Sequence, residues 1–589
     1  MPKLYSAPDV ASILGIKVHT LYRYARNGKL RALNISKLWR FAMADIEEFT
    51  PSHRYLASPV CSKPMLLPEI LRETARKFER RSAVICGASQ RSYAEIDLLS
   101  DRFAHALLKK GIQPGDRVVV VLANSVEFVI ACFGIWKARA IVVAEDGAIR
   151  PNSFIHVLEE TQPTALVVDR NVAVQLEGMQ DPLRFLRVIF VKDQTFVISR
   201  RANIHVESLE AVLESETGPA AVCLDGARAD DVVSISYTSG STGTPKGVTH
   251  THQSWLAAAE FTRDYLQLSA RDKILIPLPL HHAYAFRQIL AYLSAGGTVE
   301  ITADIYQALR LLQQQRPTAL LLVPAACNII IDHFPSILQE ADCFLRYTEV
   351  GAAPLDPERL QRLRELLPTT PVHLPYGLTE ARVGFLKAGP DGLLNRISKV
   401  SPGLEVRVVD IEGHPVQTGQ TGEIVLKGLG LMKGYWNRPP AEQEGLHEAW
   451  FHSGDMGRLT NLGEIALLGR IDDVIKVGGR KVNPLEVEAI LNSHSGVVES
   501  AVAGLPDPRG ILEQELHAFV VLKKDAAASE SELLAHCRQQ LEPYKIPARI
   551  HVRLSLPKSS VGKLQRYLLA SERAATTNLS KEASYASSD

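Results

Sequence analysis

Cysteine is scarce in this sequence, and its spacing gives no sign of cross-links. Seven cysteines are spread over 589 residues, and no two of them form a CxxC pair. This spacing argues against a disulfide framework and against a zinc site built on paired thiols. It is typical of proteins from a reducing compartment, and we therefore expect a cytoplasmic protein.

Long apolar runs are also missing. The most apolar region, residues 118–144, is interrupted by Asn124, Ser125, Glu127, Lys137 and Arg139. A membrane-spanning helix needs about 20 consecutive apolar residues, so we expect buried strand and helix here and no membrane span. The N-terminus likewise lacks the apolar core of a signal peptide.

An excess of one charge sign is the third absence. The formal net charge is +1, with 46% hydrophobic and 22% charged residues. These values indicate an ordinary globular protein with no overall attraction to nucleic acid or membrane. A chain of 589 residues is too long for one core, so about three or four domains are expected.

Residues 1–50 have a pattern of their own. Two short amphipathic stretches flank a turn at Gly15, which is the arrangement of a helix-turn-helix. A β-wing within residues 29–41 and an acidic helix at 44–49 follow. The second helix would present basic and polar side chains to a DNA major groove, namely Lys17, His19, Thr20, Arg23 and Arg26.

The motif order of this segment, ASILGI, TLYR, GKL and WRF, resembles the small winged helix-turn-helix of the MerR and excisionase families. The resemblance implies DNA binding, for which a dimer would be needed to reach useful affinity. A docking module that keeps the fold without contacting DNA is the alternative, because a fold does not fix a function.

A loop rich in glycine and hydroxyl groups stands out at residues 237–247. It holds two serines, three threonines, three glycines and one lysine, and it follows a strand-like run at 232–236. Glycine lets backbone N–H groups turn toward an anion, while the hydroxyls and Lys246 add donors and charge. The loop therefore predicts polyphosphate binding, although Pro245 before the lysine distinguishes it from a Walker loop.

Beyond a proline-containing linker at residues 51–64, helices and strands alternate, which is typical of parallel sheets covered on both faces. We expect one large domain at 65–470 and a smaller α+β domain at 471–571. The polar tail, residues 572–589, is predicted to be disordered.

Six motifs follow one another in order along residues 65–570. They are the loop at 237–247, Tyr376–Glu380, Gly422–Ile424 with Gly434–Trp436, His452–Arg458, Gly469–Gly479 and Pro557–Arg566. This series resembles the adenylate-forming superfamily, which includes acyl-CoA synthetases, nonribosomal peptide adenylation domains and luciferases. The implied fold is α/β, a large multi-layer adenylation domain with parallel sheets and a small mobile α+β C-terminal domain, here preceded by the short winged helix-turn-helix.

The resemblance implies activation of a carboxylic acid by ATP to an acyl-adenylate, followed by transfer to a thiol. Glu380 would bind Mg²⁺, and Thr379 would contact the α-phosphate. The β and γ phosphates would lie on the glycine-rich loop, at Thr238, Ser239, Gly240, Ser241, Thr242, Gly243 and Lys246.

The nucleoside is the second part of the implied ATP site. Asp455 would accept hydrogen bonds from both ribose hydroxyls, with Arg470 in support. The adenine ring would lie against small residues and the start of the YGLTE motif, that is, Gly351, Ala352, Ala353, Tyr376 and Gly377.

The small domain would supply further groups by rotating between the two half-reactions. Lys563 would reach between the α-phosphate and the carboxylate as charge develops. Asp472 matches the hinge, while Lys476, Gly478 and Gly479 would face the active site when the thiol is accepted.

The acid is expected to be an aryl or acyl acid. His282 matches a position near the substrate carboxylate, and no acidic residue follows it closely to pair with an amino-acid ammonium group. The predicted acyl pocket comprises His282, Ala283, Tyr284, Phe286, Cys327, Gly351 and Gly377, with ordinary core residues as the alternative.

The thiol and the role of the N-terminus stay open at this point. Free CoA is the expected acceptor, and the phosphopantetheine of a separate acyl carrier protein is the alternative. A second alternative is a DNA-binding regulator that uses the ligase fold as a ligand sensor. Two departures from the superfamily, Arg139 in place of glycine and Glu145-Asp146 in place of an Asn-Pro turn, put local packing in doubt.

Overall fold

The computed structural model describes most of the chain beyond residue 64. The described residues are 4–7, 10, 21–22, 25, 32–35, 38–42, 65–147, 151–176, 184–192, 204–215, 221–238, 245–302, 304–387, 395–439, 445–447, 450–461, 464–471, 473–477, 480–507, 514–523, 526, 528–558, 564–566 and 568–569. The five predicted DNA contacts, at positions 17, 19, 20, 23 and 26, lie outside them.

The N-terminal segment contains a small antiparallel sheet. Its strands are β1 (Leu4–Ser6), β2 (Leu33–Ile35) and β3 (Leu38–Ala42), in the order β1-β3-β2. The β2–β3 pair lies within the predicted wing, and Phe41 is buried together with Ala7, Val10, Leu21 and Ala25. The segment therefore has a small apolar core of its own.

The large domain alternates helices and strands, as predicted. Its first half contains α1 (Leu67–Phe78), β4 (Ser82–Cys86), β5 (Ser89–Ser92), α2 (Tyr93–Lys109), β6 (Arg117–Val121), α3 (Val126–Lys137), β7 (Ile141–Ala144), α4 (Pro151–Thr161), β8 (Ala165–Asp169), α5 (Arg170–Leu176), β9 (Val188–Lys192), β10 (His205–Ser208), α6 (Leu209–Glu214), β11 (Val232–Thr238) and β12 (Lys246–Thr251).

The second half begins with helices and strands in alternation and ends in antiparallel strands. It contains α7 (His252–Tyr265), β13 (Lys273–Ile276), α8 (Ala283–Ala295), β14 (Thr298–Ile301), α9 (Ile305–Gln315), β15 (Ala319–Leu322), α10 (Pro324–His333), α11 (Pro335–Ala341), β16 (Tyr347–Val350), α12 (Pro357–Leu366), β17 (Val372–Gly377), β18 (Arg382–Lys387), β19 (Arg396–Val400), β20 (Leu404–Val409), β21 (Thr421–Gly428), β22 (Gly434–Tyr435), β23 (Leu446–His447), β24 (Trp450–Leu459) and β25 (Ile465–Arg470).

These strands form two large sheets. One has the order β10-β9-β8-β6-β7-β11-β12-β22, and its strands from β10 to β11 are parallel. The other runs β20-β21-β24-β25-β19-β18-β17-β16-β15-β13-β14-β4-β5, with β23 on β24. Residues 118–121 of β6 are fully buried, as expected for a central strand covered on both faces. One apolar core joins α2, α3 and α8 to strands of both sheets.

The small domain folds around a separate core. It contains β26 (Ile475–Val477), β27 (Arg480–Val482), α13 (Pro484–Asn492), β28 (Val497–Pro506), β29 (Gln514–Leu522), α14 (Glu530–Gln540), the 3₁₀ turn Pro543–Lys545 and β30 (Arg549–Arg553). Helix α13 begins at Pro484, because Asn483 caps it and the proline occupies its first turn. The predicted α/β fold with a small α+β domain is confirmed.

Arg139, one of the two departures, lies where a glycine would be easier to accommodate. Its φ is +59°, a left-handed conformation that costs non-glycine residues free energy. The guanidinium group donates to the carbonyls of Asp225 and Gly226, at 2.9 and 2.7 Å. These hydrogen bonds tie the turn to a neighbouring loop and offset part of that cost.

No helix among the described residues has both the length and the apolar character required to cross a bilayer.

Candidate active site

Asp455 lies at the centre of a hydrogen-bonded group that joins three distant segments. It sits on β24, opposite Arg470 on β25, and its carboxylate accepts from the Arg470 guanidinium at 3.1 Å. The hydroxyl of Tyr376, on β17, donates to the other carboxylate oxygen at 2.7 Å. Burial and the Asp455 charge raise the pKa of the Tyr376 phenol well above its ordinary value, so it stays a neutral donor.

The residues before Asp455 fix its orientation. Gly454 has a φ of +69°, and a Cβ at this position would lie 2.8 Å from the Arg470 guanidinium. The Arg470 side chain also donates to the Ser453 carbonyl at 2.6 Å, while the backbone N–H of Gly454 donates to Glu423 at 2.9 Å. Both the backbone angle and the close approach therefore require glycine next to the aspartate.

Thr379 and Glu380 lie in a turn that is supported from behind. The carbonyl of Thr379 accepts from His250 Nε2 at 2.7 Å and from Arg287 at 3.0 Å. Burial, reinforced by the charge of Arg287, lowers the pKa of His250 to about 3. The imidazole is therefore a neutral donor that holds the turn without adding charge.

The carboxylate of Glu380 faces the phosphate loop through Tyr435. The Tyr435 hydroxyl donates to Glu380 at 3.1 Å, and the Lys246 ammonium lies 5.9 Å from the centre of the Tyr435 ring. Thr238 and Lys246 are direct partners across the β11–β12 ladder, so the loop is closed at its base. Residues 239–244, including the predicted phosphate contacts Ser239 to Gly243, lie outside the described residues.

Gly351, Ala352 and Ala353 follow β16 at its carboxyl end. The φ of Ala352 is +69°, an uncommon angle for a residue with a Cβ. A Cβ at Gly351 would lie 2.6 Å from both the Tyr284 ring and the Pro375 ring, so no side chain fits there. This turn presents backbone to the cleft, as a slot for a flat ring requires.

The predicted acyl residues fall into two groups. His282, Ala283 and Tyr284 are partly exposed at the start of α8, where burial lowers the pKa of His282 to about 3 and His281 and Asp146 act on it as well. Phe286 and Cys327, in contrast, are buried in the main core. Phe286 packs edge-on against Trp136, Trp255 and Phe128.

The groups expected from the small domain are mostly outside the described residues, namely Asp472, Gly478, Gly479 and Lys563. Lys476 is described and is exposed on β26, where its backbone N–H donates to Gln514 at 2.9 Å.

Three site residues received no role from the sequence: His250, Arg287 and Tyr435. His250 and Tyr435 lie within or beside recognised motifs, so their position was the available signal. Arg287 lies on α8 and is buried, with 7% of its surface exposed. The only sequence signal for Arg287 was its charge in an otherwise apolar helical stretch, five positions after His282.

Comparisons with known proteins identify the families that this chain matches. A family model described as AMP-binding enzyme matches residues 71–436, and one described as AMP-binding enzyme C-terminal domain matches residues 486–563. A model described as helix-turn-helix domain matches residues 4–52.

The similar proteins are named as CoA ligases of several different acids. An oxalate–CoA ligase of Arabidopsis thaliana is 28% identical, over 86% of this chain and 98% of that protein. A long-chain-fatty-acid–CoA ligase of Bacillus subtilis is 28% identical, over 86% of this chain and 94% of that protein. The crystal structure of a benzoate CoA ligase from Burkholderia xenovorans superimposes with a TM-score of 0.75 at 25% identity, covering 86% of this chain and all of that one.

Proposed function

This chain belongs to the AMP-binding enzymes, a family of AMP-forming acid–thiol ligases, and from that premise we propose that it converts an aryl or acyl carboxylic acid to its CoA thioester. A carboxylate oxygen attacks the α-phosphorus of ATP, the bond from that phosphorus to the bridging oxygen breaks, and pyrophosphate leaves. The CoA sulfur then attacks the acyl carbon, the thiol loses its proton, and AMP leaves with the electron pair of the broken acyl–oxygen bond.

One observation carries the proposal. Tyr376, Asp455 and Arg470 come from separate motifs, and their side chains meet in a hydrogen-bonded group around one buried carboxylate. A carboxylate held by neighbours from two sides is well suited to accept both hydroxyls of a ribose. Such preorganisation lets the site position a nucleotide without rearranging.

The charged residues of the site indicate where the phosphates of ATP would bind. Lys246 and the base of the loop at Thr238 would hold the outer phosphates, and the neutral turn at Thr379 would approach the α-phosphate. Glu380 supplies a hard oxygen ligand of the kind Mg²⁺ prefers, next to the place where phosphate oxygens would complete its coordination. Mg²⁺ would neutralise the charge that develops on pyrophosphate.

The small domain would complete each half-reaction in turn. We assign Lys563 to adenylate formation, where a positive charge between carboxylate and α-phosphate stabilises the transition state. We assign Lys476, Gly478 and Gly479 to the thiol step, with Asp472 as the hinge. All but Lys476 lie outside the described residues, so these roles rest on the motif order alone.

Free CoA is the acceptor that the relatives support, because they are named CoA ligases. Neither a separate carrier protein nor DNA is supported as a partner in the same way. The helix-turn-helix match is a match of fold, and DNA binding by residues 1–50 stays a prediction.

Pyrophosphate release tests the proposal. The full chain is incubated with ATP, Mg²⁺ and a panel of aryl and fatty acids, with and without CoA, and thioester is measured in parallel. We expect release that depends on the acid and a thioester that forms only with CoA. Absence of release from every acid, together with tight and sequence-specific duplex binding at moderate salt, would favour the ligand-sensing regulator instead.

A further inference from the structure

A buried polar stripe runs between helix α8 and strand β16. Residues four apart on the helix face residues two apart on the strand, so that three layers form from the cleft inward. The layers are Tyr284 with Gly351, Gln288 with Glu349, and Tyr292 with Tyr347. In the middle layer Gln288 donates to Glu349 at 2.6 Å, and in the deepest layer the two tyrosine hydroxyls are 2.5 Å apart.

The two deeper layers differ in how their polar atoms are satisfied. In the deepest layer the hydroxyls of Tyr292 and Tyr347 hydrogen-bond to each other. In the middle layer Glu349 Oε2 and Gln288 Oε1 make no hydrogen bond of good geometry with the described residues, and neither do the nearby Tyr284 hydroxyl and Arg382 Nη2. The Tyr284 hydroxyl nevertheless lies close enough to Glu349 to help lower its pKa. Glu349 is fully buried, and Gln288 and Arg382 are 2% and 4% exposed.

Such atoms are unusual in a protein interior. A buried carboxylate oxygen without a donor loses its hydration and gains nothing in return, and native folds rarely keep one unless a ligand or water completes it. Arg382 lowers the electrostatic cost of the Glu349 charge, yet these two described side chains make no direct ion pair. Glu349 and Gln288 therefore present acceptors, and Arg382 presents a donor, that are left to pair with a further polar group.

The register of the stripe gives the spacing between its layers. Two residues along a strand and four along a helix each correspond to roughly 6–7 Å. Gly351 lies at the mouth, beside the turn where the nucleotide is expected. Glu349 is then one layer deeper, about the span of one benzene ring with its para substituent.

We propose that the end of the acid remote from its carboxylate bears a hydroxyl or amino group, which donates to Glu349 or Gln288. This inference rests on the proposed function and names its substrate class. A hydroxyl fits best, because it also accepts from Arg382. Tyr284 is the one partly exposed side chain of the stripe, and its ring must turn aside for the acid to pass.

The test compares acids that differ only at the remote end. Benzoate, cinnamate and hexanoate are each offered with a terminal methyl or a terminal hydroxyl group, and pyrophosphate release is measured with the full chain. In at least one series we expect the hydroxyl acid to be favoured by about 100-fold or more in kcat/KM, since the methyl acid leaves buried polar atoms unpaired. Glu349→Leu should reverse that preference.

Glu300→Gln is the matched control, because Glu300 is buried in the same sheet but pairs with Lys273 at 2.7 Å. It should leave the preference unchanged. If the wild-type protein shows no preference in any series, or if Glu349→Leu leaves it intact while the control behaves as expected, the inference is wrong.

Binding separates this failure from failure of the proposed function. The thermal midpoint of the protein is measured with each acid in the absence of ATP. Selective stabilisation by hydroxyl acids, lost in Glu349→Leu, would support the pocket even if no acid released pyrophosphate. Equal stabilisation by both members of every pair would overturn the inference even if release occurred.

Discussion

The two ends of the cleft treat buried polar groups in opposite ways. At the nucleotide end, the Asp455 carboxylate accepts from Tyr376 and Arg470, and its neighbours are held by backbone hydrogen bonds. At the acyl end, Glu349 is as deeply buried but leaves one oxygen without a hydrogen bond of good geometry from the described residues. The first arrangement has its protein hydrogen bonds in place, whereas a bound acid would complete the second under the inference above.

The difference distinguishes the part of the site that serves every turnover from the part that selects the acid. ATP is common to every turnover, so its site gains from being preorganised. The acid is what distinguishes one ligase from another, and an incomplete polar layer rejects acids that cannot complete it. Variants at the nucleotide end should therefore change the kinetics with ATP, whereas variants at the acyl end should change the preference between acids.

The largest effect is expected at Lys563. Lys563→Ala should lower adenylate formation by roughly 1000-fold, the upper range for loss of one transition-state donor, because its charge would be needed while the α-phosphate is attacked. Transfer of a chemically prepared acyl-adenylate to CoA should change little. Lys476→Ala is the matched variant, for which we expect the reverse pattern. Equal loss of both steps in either variant would contradict the two-orientation assignment.

Asp455→Ala comes next. It removes the proposed acceptor of the ribose hydroxyls together with the partner of Tyr376 and Arg470. Loss of a hydrogen bond to a charged group costs about 1.5–3 kcal/mol, so kcat/KM for ATP should fall on the order of 100-fold. The ratio of rates for hydroxyl and methyl acids should stay constant. A changed ratio, measured at saturating ATP, would show that the two ends are not independent.

Gly351→Ala tests the boundary between the ends. The new methyl group would lie 2.6 Å from the Tyr284 and Pro375 rings, and overpacking of this kind costs about 1–3 kcal/mol. We expect KM for the acid to rise roughly tenfold, with a smaller change for ATP. Gly147→Ala is the control, because nothing lies within 4 Å of its added Cβ. A larger effect on ATP would show that Gly351 matters more to the adenine slot than to the acyl pocket.

The sequence singled out the residues that meet around Asp455 but not those of the middle layer between α8 and β16, for a physical reason. Asp455 and Glu380 each lie in a contiguous motif, because glycine and hydroxyl neighbours must fix the backbone around them. Gln288 and Glu349 are 61 residues apart, and only the packing of a helix on a strand brings them together. The available signal was a glutamate inside a strand that the fold buries on both faces.

The residues that hold the Thr379 turn in place were also missed by the sequence, for the same reason. His250 and Arg287 hold the Thr379 carbonyl from elements that precede it by more than 90 positions, so no local pattern could connect them. The alternation of helices and strands, in contrast, predicted the fold class well, since it follows from local periodicity.

The smallest effect is a change of stability with pH, and it tests whether Glu349 is strained without its ligand. Burial raises the pKa of Glu349 from 4.5 to about 6, against the lowering effects of Arg382, Tyr284 and Gln288. Between these values the folded protein holds a proton that the unfolded chain has lost, so stability falls as the pH rises through this window. Above it, the charged Glu349 costs about 2 kcal/mol.

Glu349→Gln should remove that cost and raise the thermal midpoint by on the order of 2–4 °C at pH 8, but not well below pH 4.5, where Glu349 is protonated in both states. A hydroxyl acid bound to Glu349 should reduce this increase in thermal midpoint at pH 8, because the wild-type carboxylate then accepts a hydrogen bond from the acid. A gain of equal size at both pH values would mean that the substitution acts through packing. In that case the acyl end would be as complete as the nucleotide end, and the contrast between them would be lost.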